Sequence, residues 1–283
     1  MKQEGAPSAR RIIMGLLLAD GDHPLSSRQV VMACALFGIS ENSARVALAR
    51  LSASGLIASA ERGSYQLGEA ATALAGDVST WREAESRLAE WSGQYVMVLT
   101  GVLGRSDRTA LRHRERALQM LGFRELEKDV FVRPDNLRGG VEAIRQRLHA
   151  LGLERSAPVF LASGFDHDRS TRLPALWDGA GLNRLYRQQQ ALLSRWLERA
   201  DQLAPEDAAR ESFLLGGRAI RHIVFDPLLP APLVDAQARH GFIQTVKQFD
   251  RAGYAIWQRL YQSRDGQSQP GDAALPLATH RLQ

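Results

Sequence analysis

Four residues on one helical stripe carry the most specific chemistry in this sequence. Asn42, Arg45, Val46 and Ala49 recur at intervals of three and four within ENSARVALARLSAS, so a helix puts them on one face. A guanidinium fork can grip O6 and N7 of guanine. An amide can pair with N6 and N7 of adenine, and small apolar groups can meet the thymine methyl. Ser43 and Arg50 flank the stripe and suit phosphate oxygens; a surface salt bridge is the plainer role for Arg50. The opposite face, Ala44, Ala47, Leu48 and Leu51, is apolar and reads as core.

The neighbouring elements must aim that stripe. Ser40 is a natural N-cap, because its hydroxyl accepts an otherwise unpaired backbone N–H, and Gly55 is a natural stop. Upstream, Ser8 opens a helix through Ala19 with Ile12, Ile13, Leu16 and Leu17 inward and Arg10 and Arg11 outward. Ser26 or Ser27 opens a second helix, RQVVMACALF, ended by Gly38; Gly38-Ile39-Ser40 is then the short turn a helix-turn-helix needs. Downstream, Leu56–Ser59 and Tyr65–Leu67 flank Glu61-Arg62-Gly63-Ser64, the pattern of a hairpin. Arg62 falls near its tip, in reach of a minor groove or a phosphate. Residues 1–68 therefore read as a winged helix-turn-helix that binds DNA. Plain structural units are also built this way.

Composition fits an anionic partner without naming one. The 283 residues are 45% hydrophobic and 24% charged, which suits two or three globular domains. Net charge is +5 and the pI near 9.8. Lysine occurs only at Lys2, Lys128 and Lys247, so nearly all the positive charge is arginine, the better fork for phosphates and base edges; a GC-rich coding sequence has the same effect. Cys34 is the single cysteine, which excludes an internal disulfide and a thiolate metal cluster. No 18-residue apolar run and no signal peptide stand out, so a cytoplasmic protein with no membrane partner is expected.

The rest of the chain divides by periodicity. Residues 69–94 read as a connecting helix bearing Trp81, Leu88 and Trp91. Residues 95–165 alternate as strand Tyr95–Thr100, helix Arg108–Leu121, strands Glu125-Leu126 and Val130–Val132, helix Val141–Leu151 and strand Val159–Ala162. That β-α-β-β-α-β order is the ferredoxin-like plan, which hosts many functions and names none. Residues 166–262 are helical, over Leu182–Leu203, Pro205–Ile223 and Pro232–Tyr261, and 263–283 read as a disordered tail. Between the last two helices, two prolines bracket Leu228 and Leu229 in Asp226-Pro-Leu-Leu-Pro230, forcing a fixed extended turn that packing alone explains. The fold class is α+β.

With ISENSARVALARL, the ferredoxin-like middle and DPLLP together, the chain resembles the phenylacetate-degradation repressors, the PaaX-like transcription regulators. The resemblance runs from about Ser8 to Tyr261. It implies a homodimeric repressor of an aromatic, phenylacetate-type catabolic operon. Release from the operator would follow binding of an aryl-acyl-coenzyme A thioester, typically phenylacetyl-coenzyme A. It further implies a middle domain similar to the small nuclease subunit of CRISPR adaptation, without nuclease activity. A dimer would meet double-stranded DNA at an inverted repeat. No cofactor, metal or catalytic residue is expected.

A coenzyme A effector needs cations for its phosphates. Arg105, Arg108 and Arg112, with His113 beside them, open a helix whose N-terminal N–H groups also favour anions; Arg114 and Arg116 continue the run. Arg218 and Arg221 are second candidates, unless they pair with acids such as Glu211. The aryl arm needs apolar walls, which Trp81, Trp91, Trp177 or Trp257 supply if they are not simply core. Two other function classes stay open. A metal-dependent nuclease would use Asp166-His167-Asp168 after the last strand, although an extended segment sends those side chains to alternate faces. A regulator without a small ligand would answer to a protein partner. His113-x-Glu115 lacks the cysteine pair of a zinc deaminase, and no GxSxG, Walker loop or GxGxxG occurs.

Overall fold

The structure is a computed structural model and describes residues 7–20, 23–61, 63–71 and 80–266. The Arg11 N–H donates to Ser8 Oγ (3.3 Å) at the start of α1 (Ala9–Asp20), which buries Ile12, Ile13, Leu16 and Leu17. A two-residue strand, β1 (Leu25–Ser26), leads into α2 (Ser27–Ala35). The junction is a capping box: Ser26 Oγ accepts from the Gln29 N–H, and Gln29 Oε1 accepts from the Ser26 N–H. Gly38, at φ 73°, turns the chain into α3 (Glu41–Ala53). After α3 come β2 (Ile57–Ser59) and β3 (Ser64–Leu67), and the antiparallel sheet order is β1-β3-β2. Arg62, in the turn between β2 and β3, lies outside the described residues.

The middle of the chain runs β4 (Tyr95–Leu99), α4 (Arg108–Met120), β5 (Arg124–Glu127), β6 (Val130–Pro134), α5 (Gly140–Ala150) and β7 (Val159–Ala162). Its antiparallel sheet has the order β5-β6-β4-β7. Strand alternation divides the labour of β4. Val96 and Val98 pack with Ala117, Leu118, Ile144 and Leu148 of α4 and α5. Tyr95 and Met97 face the other way, onto Trp177, Leu229 and Val234.

The remaining helices are α6 (His167–Arg172), α7 (Gly179–Arg199), α8 (Pro205–Val224) and α9 (Ala236–Gly266). Their large aromatic side chains, Tyr186, Trp196, Phe242, Phe249 and Trp257, belong to the same buried cluster as Ile12, Leu17 and Leu48. The first and last parts of the chain share one core.

Three expectations need correction. The connecting helix over 69–94 is not one helix where it is described: Thr80–Arg87 is a 3-10 segment and Leu88 forms a β-bridge with Leu137, while residues 72–79 lie outside the described residues. Asp166-His167-Asp168 is not extended throughout: Asp166 is extended, but His167 and Asp168 open α6. Asp166 caps α6, accepting from the Arg169 N–H (2.8 Å), and its carboxylate also holds the Arg169 side chain. The tail begins later than 263, because α9 continues to Gly266; residues 267–283 lie outside the described residues.

Candidate nucleic-acid interface

α3 is set up from its first residue. Ser40 Oγ accepts from the Ser43 N–H (3.3 Å) and donates to Ser43 Oγ (2.9 Å). Ala44, Leu48 and Leu51 are buried against α1 and α2, and Ala47 is half-buried. Asn42, Ser43, Arg45, Val46, Ala49 and Arg50 are all exposed. Val46 stands out, since a large apolar side chain at 41% exposure is uncommon in this protein. Arg45 is held by Glu41, whose Oε1 accepts from Nε (2.8 Å) and Nη2 (2.7 Å). Both side chains are about 60% exposed. Such a pair contributes only about 0.2–1 kcal/mol, so the guanidinium is aligned along the stripe yet costs little to redirect. The hairpin is fastened beside the helix pair: the Ser27 N–H (2.8 Å) and Ser27 Oγ (3.1 Å) both donate to the Gly63 carbonyl.

The cations expected to hold ligand phosphates do not form one site. At the start of α4 the position for an anion is taken by Asp107, whose Oδ1 accepts from the N–H groups of Thr109 (2.8 Å) and Ala110 (3.2 Å). Arg105 is ion-paired with Asp129. Arg114 turns inward and is buried against Glu154 and the Gly104 carbonyl. Arg108, Arg112 and His113 are exposed. Arg218 and Arg221 belong to α8, in another part of the fold. Glu211 is held by Arg199 (2.6 Å) and by Trp196 Nε1–H (2.8 Å). Arg221 stacks over Phe225 at 5.6 Å and lines a cavity of about 300 Å³ with Phe213 and Trp257. Trp81, Trp177 and Trp257 are buried core residues, and Trp91 is half-buried.

The turn at Asp226–Pro230 does more than fill a corner. It is the joint between the middle of the chain and the last helices. Asp226 Oδ1 accepts from the Leu228 N–H (2.7 Å), and Leu228 takes φ 51°, a conformation that L side chains seldom adopt. The Leu228 carbonyl accepts from Asn136 Nδ2 (2.6 Å), and Asn136 Oδ1 accepts from Arg133 Nη2 (3.0 Å). Arg239 Nη1 donates to the Leu229 carbonyl. Asp226, Arg133, Asn136 and Arg239 are all buried. Burial pulls Arg133 down to about 10 and pushes the Asp226 carboxyl above the usual carboxylate range. DPLLP was visible in the sequence. Its polar partners were not, because they come from β6, the following loop and α9 and share no local pattern.

A capped helix with an exposed stripe and a hairpin fastened beside it share one core with a large second body. The chain belongs to the PaaX-like family: the PaaX-like protein model matches residues 8–71 and the PaaX-like protein C-terminal domain model matches residues 177–259. Members of that family are regulators associated with phenylacetic acid catabolism. A comparison with curated proteins gives no match. Among solved structures, an uncharacterized protein from Mycobacterium tuberculosis shares the fold, with a TM-score of 0.57 and 22% identity over 87% of this chain and 99% of that one. Among the described residues no helix is long and apolar enough to cross a membrane.

Proposed function

We propose that this protein is a cytoplasmic, homodimeric repressor that binds an inverted-repeat operator of a phenylacetate-type catabolic operon and leaves it when an aryl-acyl-coenzyme A thioester binds. The observation that carries the reading is the exposed stripe of α3. Asn42 and Arg45 offer the forks that distinguish adenine and guanine, and Val46 and Ala49 offer apolar contacts. In this reading residues 1–68 are a winged helix-turn-helix. Ser43 and Arg50 reach phosphates, and Arg62 in the wing reaches the backbone or minor groove. The middle is ferredoxin-like and serves as a structural body rather than a nuclease. Family membership supports the regulatory role and the aromatic pathway.

The test is a gel shift with DNA from upstream of the protein's own gene and of neighbouring catabolic genes, followed by a footprint and a base-substitution series. Arg45→Ala is expected to weaken binding by about 1–3 kcal/mol at one base pair and to relax the preference there. An equal loss across every operator variant would demote Arg45 to a phosphate contact. No retarded band at physiological salt would remove the DNA-binding reading altogether.

A further inference from the structure

The cavity beside Arg221 lies where the DNA-reading unit meets the last two helices. Its volume of about 300 Å³ is at the small end of ligand sites. α1 lines it with Gly15 and Leu16, α8 with Phe213 and Gly217, and α9 with Tyr254 and Trp257. Helical glycines keep the three helices in this relation. A Cβ on Gly15 would come within 2.9 Å of the Phe213 ring, so α1 rides directly on that ring. Gly217 is different: a Cβ there meets nothing within 4 Å. A glycine inside a helix costs about 1 kcal/mol relative to alanine. At Gly217 no packing contact demands that cost, and the residue is exposed at the rim of the cavity it lines.

The lining has a definite chemistry. Aromatic rings form the walls, and Arg11 and Arg221 bring cationic groups from α1 and α8. Asp250, the acid of the lining, is already paired with Arg82. A flat ring carrying a carbonyl or anionic arm matches this arrangement, since the ring stacks or meets edges and the arm meets the guanidinium groups. The cavity suits an acyl group and not a whole coenzyme A, whose nucleotide must stay outside.

Phe213 also connects the cavity to the reading helix. Its ring packs edge-on against Trp257 (centroids 6.5 Å apart) on one side and against Phe37 (5.4 Å) on the other. Phe37 lies in the turn that leads from α2 to Ser40 and α3. A ligand that displaces Phe213 therefore disturbs the turn on which α3 is mounted.

We propose that this cavity is the effector site, that it takes the aryl-acyl group of the inducer, and that Phe213 transmits its occupancy to α3. The proposal rests on the effector reading above and assigns it a place. The experiment is calorimetry on the full chain with phenylacetyl-coenzyme A and with free phenylacetate, paired with release from operator DNA in a gel shift. Gly217→Leu, which fills open space, is expected to weaken thioester binding about tenfold or more while operator binding in the absence of ligand is unchanged. Tyr254→Ala, at a ring 45% exposed, removes one wall without emptying the core and is expected to act in the same direction. Arg108→Ala is expected to bind the thioester as the parent does. Thioester binding by the parent that both cavity variants retain in full would overturn the cavity assignment and leave the effector reading standing. Binding of free phenylacetate alone, lost in Gly217→Leu, would uphold the cavity and overturn the thioester as its source. Binding of neither compound by the parent would overturn both.

Discussion

At the scale of single residues, His222 gives the protein a predictable response to pH. It is half-buried on α8, and burial first, then Arg218 and Arg221, hold its imidazole below the usual value. An unfolded histidine titrates near 6.5. Below that pH the unfolded chain takes up the proton before the folded one does. Stability from this residue is thus complete above about pH 6.5 and is lost as pH falls through the folded value. The thermal midpoint is expected to drop between about pH 7.5 and pH 5.5, and to drop less in His222→Gln. Equal drops in both proteins would show that His222 does not contribute. Residues differ in how far sequence reveals them. The stripe of α3 was legible because Asn42, Arg45, Val46 and Ala49 are tied by helical spacing alone, and the structure exposes all four. Their partner Glu41 was adjacent but unread. Parts of the arginine run expected to meet phosphates have partners that are distant or unremarked in the sequence: Asp129 for Arg105, Glu154 for Arg114, and Asp107 for the helix terminus itself.

At the scale of elements, local signals located the parts that make their own bonds. Capping serines, stop glycines and period-two runs gave α2, α3, the hairpin and the β-α-β-β-α-β order within a few residues. The failure at 80–94 shows what overrides such signals. TWREAESR contains good helix formers, yet the Ala89 N–H donates to the Asn136 carbonyl (2.9 Å) and the Arg138 N–H to the Arg87 carbonyl (2.8 Å). Tertiary pairing pulls the segment out of helix, with Trp81 and Ala84 drawn into the core. The joint at Asp226–Pro230 shows the same dependence from the other side. Gly122 ends α4 at φ 73°, its carbonyl accepts from Trp177 Nε1 (2.9 Å), and a Cβ there would lie 2.7 Å from Pro227 Cβ. Gly122→Ala meets both a left-handed backbone and an overlap. It is expected to destabilise by about 2–4 kcal/mol, read as a lowered thermal midpoint. An alanine that leaves the midpoint unchanged would mean that Pro227 does not seat on α4 in solution.

At the scale of the whole molecule, the N-terminal unit is a domain in sequence and not in packing. Residues 8–71 have their own caps, their own sheet and a family model of their own. Yet Leu16 and Phe37 pack into a cluster that includes Phe213, Phe249 and Trp257 of α8 and α9. A fragment of residues 8–71 would leave that face in water, at about 25 cal/mol for each Å² of apolar surface uncovered. It is therefore expected to melt at a lower temperature than the full chain, with a less cooperative transition in circular dichroism, and to bind operator more weakly. The result bears directly on how an inducer can act. Coupling between two sites is a free energy that each ligand must feel through the other. If the reading unit needs α8 and α9 for its geometry, a group wedged between them changes the population of the DNA-competent arrangement, and operator DNA must weaken the inducer by the same factor. If the fragment melts like the full chain and binds operator with full affinity, the shared core transmits nothing. Release by a thioester would then have to come from the dimer arrangement instead.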